Sequence, residues 1–230
     1  MIYDAQGVHP DPAKCAEIKN LPTLKSVTDI QQFLGIIQFM CPFIPNLADQ
    51  TAPLRALTKA GAKFEWNSSL QTEYDNIKAL IRKGPALSYF DVTKETTIQV
   101  DASKIGLGAA LIQDGKPVAF ASKALTDTER RYANIEREPL AVVFGCERFH
   151  TYVCGKRFVV ESDHKPLEQT QKKSLANTPP RRQRTMLRLQ QDDVDIQYRP
   201  GKEMILADSL SRLNPAAGTQ INLEQSVYAV

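Results

Sequence analysis

Thr97-Ile98-Gln99-Val100-Asp101-Ala102-Ser103, then Leu107 to Gln113, the dipeptide Asp114-Gly115 and Pro117 to Ala121 form the stretch whose period decides the fold. Residues 97–101 alternate as a half-buried strand does, and two further short apolar runs follow. Asp-Gly between the second and third runs is a hairpin signal, because both central residues of the tight turn need positive φ. Three consecutive antiparallel strands are expected. Further on, residues 135–153 carry Leu140, Val143, Phe144 and Phe149 at helical spacing, and Arg157 to Ser162 returns to strand. A basic helix over 180–190, a fifth strand over Val194 to Tyr198 and a last helix over Ile205 to Leu213 complete the pattern. The order β-β-β-α-β-α-β-α predicts an α/β fold with a mixed five-stranded sheet flanked by helices.

Upstream the period is helical. Ser26 or Thr28 offers a cap for a helix carrying Ile30, Phe33, Leu34 and Ile37, which Pro42 and Pro45 end. A short helix is expected around Leu54 to Lys59. Asn67, Ser68 and Ser69 offer caps for another helix with Tyr74, Ile77, Leu80 and Ile81 on one face, stopped at Gly84-Pro85. Residues 1–90 thus read as a small, mostly helical module, 91–214 as the sheet domain and 215–230 as a linker or frayed tail. Trp66, Phe33, Phe39 and Phe43 read as core rather than as a stacking platform.

The chain of 230 residues is 42% hydrophobic, enough for a packed core, and its net charge of +3 is too small to announce a polyanionic partner by itself. Basic residues do cluster, at Lys172, Lys173, Arg181, Arg182, Arg184 and Arg188. They either track phosphates or form a solvated helix face; Arg184 and Arg188, one turn apart, make the best phosphate pair. Cys15, Cys41, Cys146 and Cys154 form no Cys-x-x-Cys pair, which argues against structural zinc and for reduced thiols inside a cell. No apolar run approaches the roughly 20 residues that span a bilayer, so no membrane partner is expected.

Asp101, Glu138, Asp163 and Asp208 each sit in a short segment suited to presenting a carboxylate. Taken singly, an Asp at a strand end is most often a turn or cap residue. If the first and fourth strands pair, at about 4.8 Å spacing, Asp101 and Asp163 come close enough to share a metal. Hard oxygen ligands around two Mg²⁺ ions are a standard apparatus for cutting a phosphodiester.

These residues carry a resemblance. Phe33-Leu34-Gly35, Phe43-Ile44-Pro45-Asn46-Leu47, Ala52-Pro53-Leu54 and Phe64-Glu65-Trp66 resemble the thumb and connection of reverse transcriptase in gypsy-type long-terminal-repeat retrotransposons. Val100-Asp101-Ala102-Ser103, Gly106-Leu107-Gly108-Ala109, Leu125-Thr126, Ser162-Asp163-His164-Lys165-Pro166-Leu167, Arg199-Pro200-Gly201-Lys202 and Ala207-Asp208-Ser209-Leu210-Ser211-Arg212 resemble the ribonuclease H domain of the same Pol polyprotein. The likeness runs from Gly7-Val8 through Arg212.

The resemblance implies a ribonuclease H that cuts the RNA strand of an RNA·DNA hybrid with two Mg²⁺ ions, Mn²⁺ being the substitute. Its catalytic ligands fall on Asp101 as the bridge, Asp163 and Glu138 on one metal and Asp208 on the other, with Glu138 also able to touch the ribose 2′-hydroxyl. Glu136 is the rival for the glutamate role, but the family's glutamate directly precedes the apolar pair that enters the helix. Pro139 departs from the family and threatens the helical geometry of Glu138. Ser103, Tyr198 and the basic cluster are expected on the substrate; Tyr198 stands where related enzymes carry a His, and His164 is an auxiliary candidate. Implied partners are the hybrid and the polymerase domains of one polyprotein, in a cytoplasmic virus-like particle or the nucleus. The Tyr-x-Asp-Asp turn of a polymerase does not occur here, so no DNA synthesis is expected. The competing reading is a catalytically silent, nucleic-acid-binding or structural remnant. A nucleotide hydrolase is disfavoured because no Walker phosphate loop is present.

Overall fold

The structure, a computed structural model, describes residues 1–82, 86–167 and 180–205; the expected last helix, apart from Ile205, and the tail lie outside them. Five strands form one sheet: β3 (Thr97–Ala102), β4 (Gly106–Gln113), β5 (Lys116–Ala124), β6 (Phe158–Ser162) and β7 (Val194–Tyr198). Their order is β5-β4-β3-β6-β7, with β3–β4 and β4–β5 antiparallel and β3–β6 and β6–β7 parallel. This is the mixed sheet that the period of the sequence predicts. Asp114 and Gly115, at φ 50° and 70°, make the β4–β5 turn with both central residues in the left-handed region.

Before the sheet come β1 (Ile2–Asp4), β2 (Gly7–His9), α1 (Pro12–Lys19), α2 (Val27–Gln38), α3 (Leu47–Gln50), α4 (Ala52–Ala56) and α5 (Ser68–Arg82). The caps act as their chemistry requires. The Ser26 hydroxyl accepts from Asp29 N–H at 3.1 Å, and Asn67 Oδ1 accepts from Leu70 N–H at 2.9 Å. The hairpin β1–β2 adds two short strands to the mostly helical module. It is held from outside its own sequence, since Val8 exchanges two backbone hydrogen bonds with Leu87, at 2.8 and 3.0 Å. Gly7, at φ 139°, permits this approach: a Cβ there would lie 2.1 Å from the Leu87 carbonyl oxygen.

Two apolar cores lie on the two faces of the sheet. One joins Ile30, Phe33, Phe43, Leu54, Tyr74 and Ile77 of the helical module to Ala110, Ile112 and Phe120 of β4 and β5. The module therefore packs onto the sheet, and its core runs on past residue 90. Phe33 and Trp66 meet Tyr74 edge-on, and the buried Tyr74 hydroxyl donates to the Pro22 carbonyl at 3.0 Å. Phe33 and Phe43 are core as expected; Phe39 is not, being 51% exposed beneath the Lys14 ammonium.

The other face is covered by α6 (Asn134–Arg148), which packs Ala141, Val142 and Cys146 on Ile98, Val100 and Val160. The expected single helix 135–153 is broken at Phe149, which buries its ring and leaves the short α7 (His150–Val153). α8 (Pro180–Leu189) packs against α6. Gly145 lets α6 sit close, because a Cβ there would lie 2.8 Å from Val100 Cγ1 and 3.1 Å from Ile98 Cγ2. Gly145→Val is accordingly expected to destabilise the fold by about 1–3 kcal/mol through overpacking. The check is urea denaturation, where the midpoint should fall at unchanged slope. Among the described residues no helix is long and apolar enough to cross a membrane.

Candidate active site

β3 and β6 run parallel with Val100 beside Ser162, so Asp101 and Asp163, each one residue further on, emerge at the same end of neighbouring strands. Glu138 reaches them from the first turns of α6. The helix passes through Pro139 without breaking, and Glu138, only 3% exposed, remains in it. Pro139 is the sixth helical residue, so its missing N–H costs one hydrogen bond while the turns on either side persist. Glu136 is otherwise engaged: its carboxylate accepts from the Ala133 backbone N–H at 3.2 Å and closes the helix start.

The three carboxyls lie within electrostatic reach of one another, since the charge of Asp163 acts on both Asp101 and Glu138. Burial pushes Asp101 up to about 6, with the charges of Asp163 and Asp49 adding to the rise and the Asn46 amide opposing it. Burial likewise pushes Glu138 up to about 8, and Asp163 and Asp101 add while Arg137 opposes. Glu138 Oε2 is buried and accepts no hydrogen bond from the described residues. Hard oxygen donors that repel one another, one of them buried without a donor, suit a divalent cation. Among the described residues, no three His, Cys, Asp or Glu side chains are already gathered round one metal position.

The other expected site residues are placed as follows. Asp208, Lys172 and Lys173 lie outside the described residues, as do the side chains of Arg181 and Arg182. The Ser103 hydroxyl holds the β3–β4 turn, accepting from Ile105 and Gly106 N–H at 3.0 and 2.8 Å. It also lies 3.0 Å from Asp49 Oδ1. His164 is half-buried and its backbone N–H donates to the Ser162 hydroxyl at 3.2 Å. Tyr198 ends β7 opposite Ser162, is 37% exposed and has the Lys165 ammonium 5.3 Å above its ring. Arg184 is exposed, whereas Arg188 pairs with Glu147 of α6. Glu147 lies nine residues beyond Glu138, so this end of the basic helix stands roughly 14 Å along α6 from the carboxyls.

Three residues that the sequence reading did not nominate for the site border it. Buried Arg137 donates to the Ser103 carbonyl and, at 2.9 Å, to Asn134 Oδ1, tying α6 to the β3–β4 turn. Asn46 and Asp49 arrive from the helical module: Asn46 Nδ2 donates to Asp101 Oδ2 at 3.2 Å. Burial raises Asp49, and the Ser103 hydroxyl opposes that rise. The one advance signal was Asn46 itself, within Ile44-Pro45-Asn46-Leu47, as a residue type that tolerates the left-handed conformation.

Gln99, two residues before Asp101 and 1% exposed, joins the next loop to the sheet. Its Nε2 donates to Glu161 Oε2 and its Oε1 accepts from Ile205 N–H, both at 2.7 Å. Gln99→Leu leaves the Ile205 N–H without its acceptor, while Glu161 keeps Arg199 at 2.8 Å, and is expected to cost about 1–3 kcal/mol in chemical denaturation.

Known proteins match the fold that carries this site. The family described as the RNase H-like domain found in reverse transcriptase matches residues 91–191. The chain is 35% identical over 213 residues to the retrovirus-related Pol polyprotein from transposon 297 of Drosophila melanogaster, covering 92% of this chain and 20% of that protein. It is 30% identical over 203 residues to the transposon Tf2-3 polyprotein of Schizosaccharomyces pombe, covering 82% of this chain and 15% of that protein. The chain thus spans a fifth or less of these curated relatives. Among solved structures, the foamy viral protease-reverse transcriptase in complex with RNA/DNA hybrid superimposes with a TM-score of 0.74 at 21% identity, over 89% of this chain and 29% of that one. The foamy viral protease-reverse transcriptase dRH in complex with double-stranded DNA gives 0.72 at 20% identity, over 86% of this chain and 37% of that one. At such identities the match speaks for the fold.

Proposed function

Because residues 91–191 belong to the RNase H-like domain family found in reverse transcriptase, we propose that this chain hydrolyses the RNA strand of an RNA·DNA hybrid. It does so as the last part of the reverse transcriptase of a gypsy-type Pol polyprotein. One observation carries the reading: Asp101 and Glu138, from a strand end and a helix, are both pushed up by burial, and the charge of Asp163 from the neighbouring strand end adds to the rise in each.

The donor set fits Mg²⁺, and Mn²⁺ by the same chemistry, with Asp101, Glu138, Asp163 and Asp208 as the residues that would hold two ions. When bound, such ions supply an activated water and neutralise charge on the scissile phosphate and the leaving oxygen. The chain's own residues do the rest. The parallel pairing of β3 with β6 fixes Asp101 beside Asp163. Burial of Glu138 keeps bulk water from its Oε2, so that a cation is the partner that satisfies it. Tyr198 and Lys165, at the same sheet end, offer an aromatic face and a charge to the incoming strand. Arg184 offers a phosphate contact from α8.

The test is incubation of the full chain with an end-labelled RNA·DNA hybrid, and with duplex DNA and duplex RNA as controls, in Mg²⁺ or Mn²⁺. Cleavage confined to the hybrid RNA, leaving 5′-phosphate and 3′-hydroxyl ends, supports the proposal. Salt-sensitive binding to all three duplexes without cleavage supports instead a silent nucleic-acid-binding remnant.

A further inference from the structure

The carboxylate cluster is not built by the sheet domain alone. Asn46 stands in the left-handed conformation, φ 48° and ψ 35°, at the start of α3, and is 7% exposed. That conformation is uncommon for any residue but glycine and costs backbone energy unless surrounding contacts enforce it. It aims the side chain across β4 at β3. There Nδ2 donates to Asp101 Oδ2 at 3.2 Å, while the buried Oδ1 accepts no hydrogen bond from the described residues.

The receiving strand is shaped for this. Gly108 is the cross-strand partner of Asp101, and a Cβ on it would lie 1.7 Å from Asn46 Oδ1. At Gly106 a Cβ would lie 2.1 Å from Asp49 Oδ1, the oxygen that meets the Ser103 hydroxyl. Two glycines of one strand thus form sockets for two polar side chains of one helix, and both side chains reach the segment that carries Asp101. Around them, Ala48 N–H donates to the Ser122 hydroxyl of β5 at 3.0 Å, so α3 is fastened to the sheet on its own account. The fastening does not require Asn46 to be polar. Its strained backbone, buried amide and bare glycine socket are therefore left for Asp101 to explain.

Resting on the nuclease reading above, we infer that Asn46 is a positioning residue of the metal site: supplied by the helical module, it fixes the rotamer of Asp101 so that one carboxylate oxygen stays turned toward Asp163 and Glu138. The helical module is then part of the active site and not merely its neighbour. Residues that orient a metal-binding carboxylate in this way govern affinity and turnover by about 10- to 100-fold.

The experiment uses the full chain, Mn²⁺ alone as the calorimetric probe, and hybrid cleavage as the second readout. Asn46→Ala is expected to remain folded, to bind Mn²⁺ about 10- to 100-fold more weakly, and to lose kcat by a similar factor at unchanged KM for the hybrid. Gly108→Ala tests the same contact without altering Asn46, because its methyl displaces the amide; it should show the same two losses. In the Asn46→Ala background the Gly108→Ala methyl enters vacated space, so the double variant should be no worse than Asn46→Ala. A purely structural role would lower the melting temperature and leave Mn²⁺ affinity unchanged at temperatures where the variants are folded. That result, or single losses that simply multiply in the double variant, overturns the inference. So does a gain in affinity or kcat in Asn46→Ala, which would make Asn46 a screen over Asp101. An unaltered chain that neither binds Mn²⁺ nor cleaves hybrid removes the nuclease reading and this inference together; an active one indifferent to both substitutions removes this inference alone.

Discussion

Asp101→Asn is expected to abolish hybrid cleavage and at the same time to stabilise the metal-free protein. The Asp101 carboxyl is pushed up to about 6 by burial and by the negative charges of Asp163 and Asp49. Replacing it with a neutral side chain of the same shape removes a buried charge and part of the repulsion on Glu138. The melting temperature without metal should therefore rise near pH 7.5. The same change deletes the proposed bridging oxygen. Metal stabilisation of the reacting phosphate is worth several kcal/mol, so at about 1.36 kcal/mol per tenfold the rate should fall by roughly three orders of magnitude. Calorimetric melting with chelator present and a single-turnover cleavage assay read the two effects. A variant that cleaves within tenfold of the parent, or that melts lower than the parent without metal, would remove Asp101 from the centre of the site.

The second large effect is a pH dependence opposite to that of most proteins with paired carboxylates. The folded state holds the Glu138 proton up to about 8, whereas the unfolded chain releases it near the ordinary value of 4.5. Between these values the unfolded chain binds fewer protons than the folded one, so stability is full below about pH 4.5 and is lost as pH rises toward 8. At pH 7 the loss from this group is roughly 3 kcal/mol, at about 1.36 kcal/mol per unit. Asp101 acts in the same direction between its ordinary 3.8 and about 6. Mg²⁺ competes with these protons, so its stabilising effect should grow with pH. At a hundred times its dissociation constant it should return about 2.7 kcal/mol. Urea midpoints between pH 5 and 8, with chelator or with Mg²⁺, test both halves. A chelated protein that gains stability across this range would show that Glu138 is ionised in the fold.

Much of this architecture is legible in the residues because it rests on short-range chemistry. The strand over 97–101, the Asp114-Gly115 turn and the Ser26 and Asn67 caps depend on neighbours within a few positions, and each recurs in the structure, although the strand is buried on both faces at Ile98, Gln99 and Val100 and not half-buried as its alternation suggests. β1 and β2 do not, since three-residue strands carry too little pattern to register and form here against Leu87, some eighty residues away. Phe39 reads as core from its type alone; only the packing of α2 shows that its side of the helix faces solvent.

The site divides along the same line. Residue type and topology nominated Asp101 and Asp163 on the condition that their strands pair, and the resemblance of the local motifs to a known family nominated Glu138. What the chain order does not contain is the third dimension across the sheet. That Glu138 and not Glu136 turns inward follows from the rotation of α6 as Gly145 seats it on Val100. That Asn46, fifty-five residues before Asp101, donates to its carboxylate follows from α3 lying on β4 over two glycines. Contacts of that kind arise when separate elements bury their apolar faces against one another. Neither element carries the other's pattern, so only the folded chain brings them together.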